Sequence, residues 1–105
     1  MLTMNTEKYA LDAYRGIAND IVERYVKTLS SYPFQDNNET AKELILLFNK
    51  QVKLVNEELA LNADKVLAET KPYREVDSKK LKELLFLIRK DSFNDFLKKC
   101  ELNLQ

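Results

Sequence analysis

Chain-breaking residues are almost absent from this sequence. Gly16 is the sole glycine among 105 residues, and Pro33 and Pro72 are its two prolines. A β-sandwich or barrel needs frequent tight turns, which are usually built from Gly, Asn or Pro. Long helices need none. The expected fold class is therefore all-α, with the two prolines separating three helical stretches.

Hydrophobic periodicity fills those stretches. From about Thr6 to Ser30, the residues Tyr14, Ile17, Ala18, Ile21, Val22, Tyr25 and Leu29 recur at three- and four-residue spacing, which makes one apolar stripe. Asn5 or Thr6 can cap its start. The second pattern runs from Glu39 to Glu69 with Ala41, Ile45, Phe48, Val52, Val55, Leu59 and Val66 along its seam. Unbroken, it would be ~45 Å long. Asp36 and Glu39 have capping-box spacing at its start. Asn62 takes an expected apolar place. It can be a register-fixing group in the bundle, a kink recapped by Asp64, or a polar residue tolerated at the edge of the seam.

The third pattern follows Pro72. Val76, Asp77 and Leu81 have the spacing of a hydrophobic staple around a helix cap. Leu81, Leu84, Leu85 and Ile88 are then followed by Phe93, Phe96, Leu97 and Cys100, a second set turned by roughly 100° from the first. Ser92 and Asp95 could recap a new helix there, which predicts a break near Asp91. The expected architecture is one domain over residues 1–105: an antiparallel bundle of three long helices, the third broken, behind a short flexible N-terminus at residues 1–5. Connections of about eight residues suit antiparallel neighbours.

The chemistry that such a chain can perform is narrow. It has no histidine, and so lacks the commonest general base and zinc ligand. A single cysteine, Cys100, cannot build a thiolate metal site or an internal disulfide. One glycine excludes the phosphate-cradling loops and the calcium loop. Glu57 and Glu58 are adjacent and so point to different sides of a helix. The chain is expected to be non-enzymatic, with no cofactor and no metal.

Two surfaces are candidate interaction sites. A mid-helix glycine costs roughly 1 kcal/mol against alanine, so the position of Gly16 is informative. At about 100° per residue it falls opposite the apolar stripe, among Tyr9, Asp12, Asp20 and Glu23. That outward face is a solvated weak spot or a notch for a partner. On the third helix, Lys79, Lys82, Phe86, Arg89 and Lys90 share one sector. An aromatic among cations could stack on a base while the cations meet phosphates, or Phe86 could be covered by the bundle with the lysines as a solvated rim. The same surface suits an acidic protein partner.

The charges, seventeen of each sign, cancel. Residues 1–40 carry a net −2, residues 41–70 a net −1 and residues 71–105 a net +3. Nucleic-acid-binding domains are usually strongly basic, so a protein partner is the leading expectation and nucleic acid the alternative. A homodimer could form by pairing the heptad-like seam of the second helix with its copy. Residues 1–8 have no apolar core of the kind a secretory signal carries. No apolar run exceeds the five residues of Leu44 to Phe48, which is far short of a membrane span. A soluble, cytoplasmic protein is expected.

In length and in its antiparallel bundle, the chain resembles the bacteriocin immunity proteins and the small phage- or plasmid-encoded inhibitors that bind a single host protein. The likeness is one of architecture, with no shared residue motif. It implies an inhibitor, adaptor or immunity factor.

Overall fold

A computed structural model describes the backbone of residues 5–31 and 38–103, and the side chains of 5–31 and 41–101. Three helices follow one another: α1 (Thr6–Ser30), α2 (Asn38–Thr70) and α3 (Ser78–Asn103). No strand occurs among the described residues. Each helix packs against the other two, which is the expected all-α bundle. The flexible N-terminus expected at residues 1–5 falls on residues 1–4, outside the described residues, except for Asn5. The capping pair Asp36 and Glu39 also lies outside the residues whose side chains are described.

Local signals account for the helix ends. Asn5 caps α1, its side-chain carbonyl accepting from the Lys8 amide at 3.1 Å. Asp77 caps α3 in the same way, accepting from the amides of Lys79 and Lys80 at 3.1 and 3.2 Å. Val76 and Leu81, the expected staple pair, are both buried in the common core. Between them and α2, residues 71–77 turn on hydrogen bonds from Tyr73 N to Thr70 O (3.0 Å) and from Val76 N to Tyr73 O (3.2 Å).

Cross-helix pairs set the direction of each helix. Glu7 meets Lys80 at 3.5 Å and Thr6 donates to Glu75 at 3.1 Å, so α1 and α3 start at the same end. Arg24 bonds Glu58 at 3.2 Å and Arg89 bonds Asn56 at 3.2 Å, which places α2 antiparallel to both. The core runs between the three helices and centres on Tyr14, Ile21, Leu29, Leu59, Leu81, Leu85 and Phe96.

Two sequence expectations are corrected, and the alternatives at Asn62 are decided. First, α3 is not broken near Asp91; it is one helix to Asn103, so the bundle has three helices and not four. Phe96 lies eleven residues after Leu85, which returns it to within about 20° of the same azimuth. Leu81, Leu85, Phe96 and Cys100 therefore form one buried stripe, and Phe93 and Leu97 only widen it. Second, Asn62 is no kink, because α2 runs through it. Its side chain donates to the Glu58 carbonyl one turn back at 2.8 Å. That satisfies a polar group at the edge of the seam without reaching another helix.

Third, the α2 seam is not buried along its whole length. Val55, Leu59 and Val66 are buried and Phe48 and Val52 are half-buried, but Ile45 is 60% exposed. At 33 residues α2 is longer than α1 with 25 and α3 with 26, so its neighbours cannot cover it along its whole length.

Candidate interaction surfaces

The buried polar groups are structural. Tyr14 is fully buried and its hydroxyl donates to the Leu59 carbonyl at 2.7 Å. Desolvation pushes its pKa up to about 12, against an opposing pull from Arg89 and with a smaller upward push from Asp64. Burial likewise raises the Cys100 thiol to about 11. That holds it as an inert, small apolar group, as its place in the α3 stripe implies. Of the two adjacent carboxylates on α2, Glu58 is committed to Arg24, and Arg24 also lies over the Tyr25 ring at 5.5 Å.

The outward face of α1 is only partly a site. Tyr9 is 70% exposed and leans into an apolar groove of about 240 Å³ between α1, α2 and the second connection. Ala10, Ala13 and Ile17 line it from α1, Val66, Glu69 and Thr70 from α2, and Tyr73 from the connection. Asp12, Gly16, Asp20 and Glu23 stay outside that groove. Asp12 is held by Arg15 at 3.0 Å, while Asp20 and Glu23 are exposed. A Cβ at Gly16 would meet nothing within 4 Å, so the glycine faces open space. Tyr73, 49% exposed, is the groove residue that sequence reasoning missed. Its signal was an aromatic directly after Pro72 in an otherwise polar turn.

On α3 the expected sector exists. Lys79, Lys82 and Lys90 are exposed and Arg89 is half-buried against Asn56. Phe86 is not covered by the bundle; it is 57% exposed. With Asn56, Arg89, Lys90 and the half-buried Phe93, it lines a shallow groove of about 240 Å³ between α2 and α3.

A third cleft, of about 300 Å³, separates α1 from α3. Ser92 and Asp95, the residues expected to recap a broken helix, line it together with Arg15, Asn19 and Asp91. Asp95 is paired with Lys99 at 3.1 Å. No cluster of potential metal ligands occurs among the described residues. Part of the α2 seam on which a homodimer could pair is used inside the bundle, since Val55, Leu59 and Val66 are buried in the common core, while Ile45 stays exposed. No described helix is long and apolar enough to cross a membrane.

No protein-family model matches the sequence, and no curated protein or solved structure is significantly similar to it.

Proposed function

We propose that this chain is a non-enzymatic helical module that binds a partner protein, as an inhibitor, adaptor or immunity factor in a reducing, cytoplasmic setting. The observation that carries this reading is the groove beside Tyr9 and Tyr73. Two tyrosines and Ile17 stand exposed around small residues, Ala10 and Ala13, on helices that are fixed by the core. Tyrosines at the mouth of an apolar groove supply large contact area at low entropic cost, and they are enriched among residues that dominate binding energy. A contiguous apolar surface with aromatic side chains at its mouth is the kind of patch that protein partners cover.

The test is site-specific photo-cross-linking in the native cell. A photoreactive side chain at Tyr9 or at Tyr73 is expected to give the same discrete protein adduct, and one at Lys98, exposed on α3, is expected to give none. The double variant Tyr9→Ala with Tyr73→Ala should remove that protein from the material that co-purifies with the chain. Adducts that do not differ between Tyr9 and Lys98, or capture unchanged by the double variant, would overturn the reading.

A further inference from the structure

We infer that the groove between α2 and α3 takes an acidic, amphipathic helix of a partner protein, lying along α3 as a fourth helix. The inference rests on the protein-binding reading above and names the chemistry of a second surface, distinct from the Tyr9 groove.

Charge complementarity decides the occupant. Lys79, Lys82, Phe86, Arg89 and Lys90 cover about 100° of the α3 circumference, and Phe93 and Leu97 continue the same sector. No carboxylate falls within it, and Glu83 stands at its margin. Across the groove, Lys53 is exposed one turn before Asn56, and Asp64 follows two turns after it. Lys53, Lys79, Lys82 and Lys90 make no ion pair among the described residues. Arg89 and Lys90 thus line the groove and Lys53, Lys79 and Lys82 flank it, against the flanking carboxylates of Glu57, Asp64 and Glu83, on a chain whose total charge is zero. Such an excess steers an acidic partner and fixes its orientation.

The apolar part of the groove decides the shape. Phe86 projects beside the half-buried Phe93, which gives an apolar line for the i, i+3, i+4 and i+7 side chains of a docked helix. Lys79 and Lys90 are eleven residues apart, ~17 Å along the axis, or about three turns of a partner helix. A single strand of nucleic acid fits less well. It needs successive aromatic faces for its bases, and Phe86 is the one aromatic of this sector that is more than half exposed. A second copy of the chain fits poorly too, because the outward face of α1 mixes Asp12, Asp20 and Glu23 with Arg15 and Lys27.

The test uses the full chain and a fluorescent synthetic peptide of about twelve residues, three helical turns, with leucines at i, i+3 and i+7 and glutamates beside them. Anisotropy is expected to show saturable binding that weakens as salt rises. A peptide with lysines in place of the glutamates should not bind. Phe86→Ala and, independently, Lys90→Glu should each weaken binding by about tenfold or more. Lys98→Glu, the same charge change outside the sector, should leave it unchanged. Absent or non-saturable binding, equal binding of the lysine peptide, an equal loss in Lys98→Glu, or tighter binding of an oligothymidine would each overturn the inference. Cross-linking at Tyr9 does not depend on any of these outcomes, so the two proposals fail separately.

Discussion

The Tyr14 hydroxyl of α1 donates a 2.7 Å hydrogen bond to the backbone carbonyl of Leu59, in the middle of α2. That carbonyl already serves its own helix, so the tyrosine uses its second lone pair. The bond ties the two helices at the centre of the core, where both residues are fully buried. Tyr14→Phe keeps the ring and removes the bond. Because the carbonyl stays paired within α2, a loss of about 0.5–1.5 kcal/mol is expected in urea denaturation. A loss above about 3 kcal/mol would mean that the hydroxyl holds more than this carbonyl.

The same burial makes the fold sensitive to alkali. Tyr14 is raised from 10.0 to about 12 and Cys100 from 9.0 to about 11, both through desolvation, and Tyr25 is also raised, first by desolvation. A raised pKa means that the folded state holds its proton more tightly than the unfolded chain. The corresponding stability is full below the unfolded pKa and is lost as pH climbs towards the folded one. Stability should be flat through neutrality, begin to fall near pH 9 with Cys100, and fall further between pH 10 and 12 with Tyr14. Tyr14→Phe should shallow the second part of the decline by as much as about 1.4 kcal/mol per pH unit. Melting temperatures recorded across that range in both proteins would show it.

Gln51 is buried, and its Oε1 has no hydrogen-bond partner among the described residues. A buried acceptor without a partner costs about 1–3 kcal/mol. Gln51→Leu, close in size and apolar, should therefore stabilise the protein by roughly 1 kcal/mol. A destabilised Gln51→Leu in chemical denaturation would show that the amide is solvated or bonded in solution.

The three helices, their prolines, the caps Asn5 and Asp77 and the staple Val76–Leu81 are legible because each is a local signal. What could not be read was the length over which a helix has neighbours, and so Ile45 was placed in the core. The groove at Tyr73 was hidden for the same reason: it exists only where the connection folds back against α1. The continuity of α3 was legible in principle from the alignment of Leu85 with Phe96. The capping chemistry of Ser92 and Asp95 competed with it, and the buried stripe prevailed because a break would interrupt the burial of Phe96 and Cys100.

Ser92→Ala separates these alternatives in solution. As an N-cap, Ser92 would lose about 0.5–2 kcal/mol on substitution. Within a continuous helix, alanine is the better residue by up to about 0.5 kcal/mol, and Ser92 makes no hydrogen bond among the described residues that it could lose. Unchanged or slightly raised stability is expected. A loss of about 1 kcal/mol would restore the break near Asp91.

Gly16 occupies an ordinary helical position in the middle of α1, since no glycine of the described residues has a positive φ. A Cβ placed there meets nothing within 4 Å, so substitution meets neither steric nor conformational resistance. Alanine narrows the unfolded ensemble and favours the helix, and Gly16→Ala should stabilise the chain by roughly 0.4–1 kcal/mol. Asp12, Asp20 and Glu23 share this outward side of α1 with the glycine, whereas Tyr9 alone of that set reaches the groove. If the partner seated at Tyr9 extends over the glycine, the added methyl should weaken its capture while the melting temperature still rises. If contact stops at the groove, the melting temperature rises and capture is unchanged. A lower melting temperature in Gly16→Ala would contradict the open space around this residue and place another part of the chain against the outer face of α1.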